Sequence, residues 1–165
     1  MSYAIVYSSR TGNTAQLAQV LREALPQEAC SYFGEPHAEA LSADTIYVGF
    51  WTDKGTCDES TAHFLQSLTE QKVFLFGTAG FGGSQAYFDQ IAGRMGENLG
   101  ESNTFLGYFL CQGKMPQSVR ARYEAMEQNE RTKALLQNFD AALSHPDEAD
   151  LQALEQAVSR SLAQL

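Results

Sequence analysis

The chain has 165 residues, of which 44% are hydrophobic and 19% are charged. This length and composition suit one domain with a buried core and exclude a disordered chain, so we expect a single domain over residues 1–165. Asp and Glu total 20 against 11 Lys and Arg, which gives a net charge of −9. This charge argues against nucleic acid and membrane partners. It favours a partner protein with a basic docking face, or serves solubility alone.

Cysteine usage and the amino terminus indicate a cytoplasmic protein. Cys30, Cys57 and Cys111 are odd in number, far apart and outside any CxxC pair, which is typical of reduced thiols. Met1 is followed at once by an apolar strand pattern without a basic segment, so no signal peptide is expected. No apolar run approaches the roughly 20 residues of a bilayer-spanning helix, and the histidines lack metal-ligand spacing. We therefore expect a cytoplasmic monomer or weak dimer without a bound metal.

Short apolar runs alternate with longer amphipathic runs along the chain. In chain order they predict strand Tyr3–Ser8, helix Asn13–Leu25, strand Ala29–Phe33, strand Ile46–Phe50, helix Glu59–Leu68, strand Val73–Phe76, helix Ser84–Leu99, strand Thr104–Leu110, and helices Gln117–Gln128, Thr132–Leu143 and Asp147–Leu162. Strands that are apolar on both faces and separated by helices form a parallel sheet covered on both sides. We predict an α/β fold with a doubly wound five-stranded parallel sheet in the order 2-1-3-4-5. Its extended helical C-terminus is expected to pack on the sheet or, alternatively, to mediate dimerisation.

The segment between the first strand and the first helix has the composition of a phosphate-binding loop. Ser8–Thr14 is rich in hydroxyl side chains, contains one glycine and opens directly into a helix. A helix N-terminus presents unpaired N–H groups and a positive partial charge, which favour an anion. The segment lacks the GxxxxGKS/T pattern of triphosphate sites and the GxGxxG pattern of dinucleotide sites. We interpret it as a site for a phosphate monoester held without lysine or magnesium, with plain N-capping by Thr11 or Asn13 as the alternative.

Residues 9–14 also match the phosphate loop of a known family. They read Ser-Arg-Thr-Gly-Asn-Thr, and between a first strand and a first helix they resemble the Ser/Thr-x-Thr-Gly-Asn-Thr loop of flavodoxins. The resemblance covers roughly residues 3–130 and implies a flavodoxin-like fold with flavin mononucleotide (FMN) as the cofactor. It implies that side chains and backbone N–H groups of this loop bind the phosphate, namely those of Ser9, Arg10, Thr11, Gly12, Asn13 and Thr14.

The segment after the third strand offers an aromatic side chain for a flat ligand. Trp51 is the single tryptophan and ends the strand, so it is predicted to stack on the isoalloxazine ring, or else to pack under a helix. Trp51-Thr52-Asp53 is similar to the Trp-Gly-Asp that flavodoxins often have here. In that family a peptide of this loop flips when the flavin is reduced, which is costly for Thr52 unless Gly55 provides the flip. The predicted ring-binding residues are Trp51, Thr52, Asp53, Lys54 and Gly55.

The segment after the fourth strand is rich in glycine. Residues 77–84 read Gly-Thr-Ala-Gly-Phe-Gly-Gly-Ser, which lets the backbone approach a flat ligand closely; a flexible loop with ordinary turn glycines is the alternative. Its backbone groups are predicted to contact the pyrimidine edge of the flavin, while Phe81 or Tyr87 covers the second ring face. Cys111 and Lys114, after the fifth strand, are interpreted as ordinary turn residues. The predicted flavin-binding residues are Thr78, Ala79, Gly80, Phe81, Gly82 and Tyr87.

These features predict an FMN-binding flavodoxin-like protein that moves electrons between redox partner proteins, as a carrier or redox subunit rather than a stand-alone enzyme. An FMN-dependent NAD(P)H:quinone-type reductase is one alternative, because Thr52 and the glycine-rich segment depart from the flavodoxin pattern. A flavodoxin-like binding module that no longer holds FMN is another. A phospho-signalling receiver using Asp53, Thr78 and Lys114 is disfavoured, because acidic residues that hold magnesium are absent after the first strand.

Overall fold

The computed structural model describes residues 1–82 and 84–164, so Gly83 of the glycine-rich segment lies outside the described residues. Its strands are β1 (Tyr3–Tyr7), β2 (Cys30–Gly34), β3 (Thr45–Asp53), β4 (Thr56–Cys57), β5 (Lys72–Ala79) and β6 (Thr104–Gln112). Five of them pair in parallel in the order β2-β1-β3-β5-β6, and the short β4 pairs antiparallel with the end of β3. The predicted order of the five parallel strands is confirmed, and β4 is an addition to it.

The helices are α1 (Asn13–Ala24), α2 (Glu59–Gln66), α3 (Gln85–Gly96), α4 (Gln117–Glu124), α5 (Glu130–Ala142) and α6 (Glu148–Leu162). Short 3₁₀ turns at Gln27–Ala29 and Ala38–Ser42 lie on either side of β2. Side-chain oxygens of polar residues cap four of the helices and so determine where they begin: Asp58, Ser84, Asn129 and Asp147. Within the described ranges, none of the helices has both the length and the apolar character needed to cross a membrane.

Apolar side chains pack on both faces of the sheet. On one face, Leu17 and Leu21 of α1 and Leu154 of α6 are fully buried. On the other face, Leu65 of α2 and Ile91 of α3 are fully buried. Burial of each such side chain contributes about 1.5–3 kcal/mol, so two helical layers hold the sheet between them. The expected packing of the C-terminal helical region on the sheet is confirmed for α6.

The strands β3 and β5 extend beyond their predicted ends, toward the same edge of the sheet. β3 ends at Asp53 and β5 ends at Ala79, because the added residues also pair, with Trp51 opposite Thr78. Residues 51–53 and 77–79, predicted to lie in the segments that follow these strands, therefore stand on paired strands, where backbone hydrogen bonds restrict their positions.

Candidate cofactor-binding site

A cleft of about 260 Å³ opens at the carboxyl ends of the strands β1, β3, β5 and β6. This is the edge at which doubly wound sheets bind ligands. Most residues predicted for the three segments line it: Arg10, Thr11, Asn13, Trp51, Thr52, Asp53, Lys54, Gly55, Thr78, Gly80, Phe81 and Tyr87. Lining residues from the segment after β6 were outside the predicted set: Gly113, Lys114, Met115, Pro116 and Val119. Segments far apart in sequence thus meet in one cleft.

The phosphate-loop segment (Ser9–Thr14) enters α1 through a glycine. Gly12 precedes the helix with a φ of 91°, in the left-handed region that glycine adopts without strain. The Oγ of Ser9 accepts hydrogen bonds from the N–H groups of Gly12 and Ala15 at 3.2 and 3.3 Å. Backbone donors at this helix N-terminus therefore converge on one oxygen atom, which is the arrangement that an anion requires.

Two of the predicted phosphate ligands also connect the segment to its neighbours. Thr14 is 1% exposed, and its hydroxyl donates to the carbonyl oxygen of Phe50 at 2.8 Å. Asn13 is 6% exposed, and its Nδ2 donates to the carbonyl oxygen of Lys114 at 2.8 Å. These bonds join α1 to β3 and to the segment after β6. The Thr11 side chain, by contrast, is part of the cleft lining.

Trp51 is half-buried near the end of β3 and lines the cleft. The guanidinium carbon of Arg10 lies 5.5 Å from the centroid of its ring, and a cation–π contact of this kind contributes about 0.5–1 kcal/mol at an exposed site. The ring is thus in contact with the phosphate-loop segment. A flat ligand that stacks on the face covered by Arg10 has to displace the guanidinium.

The strands β3 and β4 form a hairpin around a two-residue turn. Lys54 and Gly55 both have positive φ, at 53° and 83°, as the residues of a type I′ turn do. The hydroxyl of Thr52 donates to the carbonyl oxygen of Thr78 at 2.8 Å, and Nη1 of Arg94 donates to the carbonyl oxygen of Gly55 at 2.8 Å. Thr52 is therefore held in the strand, and a glycine occupies the adjacent turn, where left-handed geometry is required.

Two glycines after β5 leave room for side chains from β6 and from the segment that follows it. A methyl group on Gly80 would lie 2.6 Å from Sδ of Met115, and one on Gly82 would lie 2.8 Å from Cβ of Gln112. Neither glycine has a positive φ, so close packing rather than turn geometry accounts for both. Phe81 between them lines the cleft and is 42% exposed.

The cleft differs in charge from the molecule as a whole. Arg10, Lys54 and Lys114 line it, with Asp53 as the one carboxylate among the described lining residues, although the chain has a net charge of −9. A locally cationic cleft attracts an anion such as a phosphate monoester.

The two cysteines near this edge of the sheet are buried. Burial raises the pKa of the Cys57 thiol to about 11, and burial also raises the pKa of the Cys111 thiol. Because the thiolate is the reactive form of cysteine, these side chains are suited to packing and not to thiol chemistry.

Comparison with known proteins identifies the family. A family model described as a flavodoxin domain matches residues 4–159. The chain belongs to the flavodoxin family. It is 43% identical to the flavodoxin-like domain-containing protein BilS of Clostridium symbiosum (strain WAL-14163), over 94% of this chain and 93% of that protein. Oxidised flavodoxin 2 from Bacillus cereus aligns over 100% of both chains, with a TM-score of 0.56 and 15% identity. Fusobacterium nucleatum flavodoxin bound to FMN aligns over 63% of this chain and 67% of that chain, with a TM-score of 0.50 and 14% identity.

Membership of the flavodoxin family supports FMN as the cofactor. The residues present fit that group in three respects. Backbone donors converge at the N-terminus of α1, the cleft lining is locally cationic, and Trp51 presents an aromatic ring to the same cleft. A phosphate and a flat ring therefore both find complementary groups in this flavodoxin.

The segment after β6 is the part of this flavodoxin site that the sequence interpretation missed. Lys114 is not an ordinary turn residue, because it lines the cleft and its carbonyl oxygen accepts a hydrogen bond from Asn13. Cys111, by contrast, is a buried residue of β6. The signal for Lys114 was present in the predicted topology, since all parallel strands of such a sheet end at one ligand-binding edge.

A separate group of titratable side chains lies at the start of α6 in this flavodoxin. His145, Asp147 and Asp150 are close together, with Nδ1 of His145 2.7 Å from Oδ2 of Asp150. Asp147 and Asp150 form a capping box, in which each carboxylate accepts the backbone N–H of the other residue. Helix capping accounts for the positions of both carboxylates.

Proposed function

We propose that this flavodoxin is an FMN-dependent electron carrier or redox subunit that passes electrons between partner proteins. The observation that supports this best is the convergence on one cleft of the phosphate-loop segment, the end of β3 with Trp51, and the segment after β5. FMN is bound in the Fusobacterium nucleatum flavodoxin. A cofactor that joins a phosphate to a flat ring needs an anion site and an aromatic surface side by side.

The chain's own groups have separate tasks in this proposal. Backbone N–H groups at the N-terminus of α1, together with the hydroxyls of Ser9 and Thr11, hold the phosphate. Trp51 stacks on the ring, and the residues from Thr52 to Gly55 border it together with Gly80. FMN supplies the redox chemistry when bound, whereas the protein sets its orientation, its access to solvent and the charge around it.

The charge distribution bears on the proposed partners. Arg10, Lys54 and Lys114 in the cleft lining suit the negative phosphate of FMN. The acidic remainder of a surface with net charge −9 then favours a redox partner with a basic docking face. We further propose a cytoplasmic monomer or weak dimer that binds neither nucleic acid nor membranes.

An NAD(P)H:quinone-type reductase is the alternative, because Thr52 and the glycine-rich segment after β5 depart from the flavodoxin pattern. The small size of the chain and its net charge of −9 favour the carrier, since an acidic surface suits docking with a basic partner protein.

A binding module without FMN is the second candidate, and internal bonding of the phosphate-loop segment favours it. The side chains of Asn13 and Thr14 donate to backbone carbonyl oxygens, and the guanidinium of Arg10 covers the ring of Trp51. The side chains of Asn13 and Thr14 are therefore already bonded within the protein.

Titration of flavin-free protein with FMN separates these candidates. Trp51 is the single tryptophan, so its fluorescence reports on the cleft itself. The carrier predicts an equimolar yellow complex with quenched Trp51 emission, and slow reduction when NADH or NADPH is mixed in by stopped flow. Unchanged emission at saturating FMN would support the binding module instead. Fast, repeated turnover with NAD(P)H and a quinone would replace the carrier by the reductase.

A further inference from the structure

The helix α5 reaches the edge of the cleft through one amide side chain. Nδ2 of Asn138 donates to the carbonyl oxygen of Gly80 at 3.1 Å. Nε2 of Gln112 donates to the same carbonyl oxygen at 3.0 Å and to Oδ1 of Asn138 at 3.1 Å. The two amides and the carbonyl thus form a closed set of hydrogen bonds, here called the amide clamp (Gly80, Gln112 and Asn138).

The two amide side chains of the clamp stand on regular elements that are held independently of it. Gln112 is the last residue of β6. Asn138 precedes Phe139, which is fully buried and anchors α5, and the side chain of Asn129 caps the start of that helix. The carbonyl that they hold belongs to Gly80, directly after the last residue of β5. The clamp therefore transmits the rigidity of α5 and β6 to this segment.

The geometry of the peptide between Gly80 and Phe81 determines how the clamp affects the N–H group of Phe81. The peptide between Gly80 and Phe81 is planar, with its C=O and N–H groups pointing in opposite directions. The clamp holds the C=O toward Gln112 and Asn138, so the N–H of Phe81 points away from them, and both Gly80 and Phe81 line the cleft. We infer that Asn138 and Gln112 are positioning residues that aim the Phe81 N–H at the pyrimidine edge of a bound flavin. The inference rests on the proposed binding of FMN in this cleft.

A donor at that edge affects both affinity and redox behaviour. It donates a hydrogen bond to both the oxidised and the reduced flavin. The bond to the reduced ring is stronger, because reduction adds negative charge to the ring and a hydrogen bond strengthens as its acceptor gains charge. Loss of the clamp should therefore weaken flavin binding and make the reduction potential of the bound flavin more negative.

The variant Asn138→Asp keeps the shape of the side chain and replaces the Nδ2 donor by an acceptor. We expect the Kd for FMN to rise about threefold to tenfold, the effect of one partly buried hydrogen bond. Riboflavin, which lacks the phosphate, should lose affinity by the same factor, because the clamp acts on the ring. Thr11→Ala should instead weaken the binding of FMN and leave the binding of riboflavin unchanged. Asn138→Leu should weaken the binding of both FMN and riboflavin, as Asn138→Asp does.

A matched control separates the clamp from the stability of its helix. Asn129→Ala removes the cap of α5 without touching Gly80, and Gln137→Ala changes an exposed neighbour on the same helix. Neither variant should alter riboflavin affinity or the reduction potential. If Asn129→Ala reproduces the loss seen with Asn138→Asp, helix stability and not the clamp is responsible, and the inference is overturned.

The order parameter of the Phe81 amide in flavin-free protein, from ¹⁵N relaxation, gives a readout that does not depend on the cofactor. It should fall in Asn138→Asp while the midpoint of global unfolding stays near that of the parent. A parent protein that binds neither FMN nor riboflavin would refute the proposed function as well as this role. A parent that binds FMN, with an Asn138→Asp variant equal to it in affinity, potential and Phe81 order parameter, would refute the clamp alone.

Discussion

The phosphate-loop segment and the glycine-rich segment after β5 border the same cleft but are held in different ways. In the first, the hydroxyl oxygen of Ser9 accepts the N–H groups of Gly12 and Ala15, within seven consecutive positions. Asn13 and Thr14 then tie this locally formed turn to distant carbonyl oxygens. In the second, the carbonyl oxygen of Gly80 is held by side chains of β6 and α5, from Gln112 and Asn138. The first segment can therefore be interpreted from local sequence, whereas the second depends on how distant parts of the chain pack.

The largest expected effect tests the local segment. Replacing Ser9 and Thr11 together by alanine removes two hydroxyl groups from the proposed phosphate site. Each hydrogen bond to a charged group contributes about 1.5–3 kcal/mol, so FMN binding should weaken by about 3–6 kcal/mol while riboflavin binding changes little. Quenching of Trp51 emission measures both affinities. Equal losses for FMN and riboflavin would show that this segment acts on the ring or on the fold and not on the phosphate.

The next effect concerns the bond between the phosphate-loop segment and β3. Thr14→Val keeps the side-chain shape but removes the buried hydroxyl that donates to the carbonyl oxygen of Phe50, which should lower the free energy of unfolding by about 1–3 kcal/mol. Urea denaturation measures the loss. Thr69→Val, at an exposed position, is the matched control and should be close to neutral. A Thr14→Val protein as stable as the control would mean that the bond contributes nothing to the fold.

Glycine substitutions test the distant-packing description of the second segment. Gly82→Ala places a methyl group 2.8 Å from Cβ of Gln112, and such overpacking should destabilise the protein by about 1–2 kcal/mol. Gly93→Ala lies within α3 with open space around it, so it should raise stability by about 0.5–1 kcal/mol through helix propensity. Thermal unfolding of the two variants should shift in opposite directions. A shift in the same direction would contradict the packing account of Gly82.

The smallest expected effect is a loss of stability in acid, and it comes from the capping residues at the start of α6. This part of the chain also contacts the segment after β6, because the carbonyl oxygen of His145 accepts the N–H of Lys114. The backbone N–H of Asp150 bonds to the carboxylate of Asp147 and lowers the pKa of Asp147. The pKa of Asp147 is lower in the folded than in the unfolded state, so its ionised carboxylate stabilises the folded protein. This stabilisation is complete above about pH 5 and is lost as the pH falls below about 3.9.

The variant Asp147→Asn retains a capping side chain without this titration. The difference in unfolding free energy between the parent protein and the variant should therefore shrink between about pH 5 and pH 3. Urea denaturation at a series of pH values measures it. A difference that stays constant over that range would show that Asp147 does not contribute to the acid sensitivity of the fold.

Several elements were predictable because their signals are local. Leu17 and Leu21 repeat at helical spacing, and both are buried in α1. The five apolar runs predicted the strand order because right-handed crossovers restrict parallel sheets to few arrangements. The phosphate-loop segment was recognisable since its hydroxyls and glycine are contiguous. The ends of β3, β5 and β6 were placed too early. The pairing of Thr78 with Trp51 on one side and with Cys111 on the other depends on neighbouring strands and has no local signal.

The missed parts of the site lie in contacts between distant residues. Lys114 looked like a turn residue, and its place in the cleft follows from the meeting of strand ends at one edge. The amide clamp joins Gly80 to Asn138 across 58 positions. Asn138 has no distinguishing pattern in its own helix, because a hydrogen bond to a remote carbonyl leaves no mark on neighbouring residues.

The sequence by itself determined the alternation of strands and helices, the strand order and a contiguous anion-binding segment with its family resemblance. These features follow from hydrophobic periodicity and from backbone geometry within a few residues. The tertiary structure decided that Asn13 and Thr14 tie the segment to its neighbours, that Arg10 lies over Trp51, and that α5 holds the peptide after β5. Each of these depends on groups that approach one another only after the sheet has assembled, so no local sequence pattern specifies them.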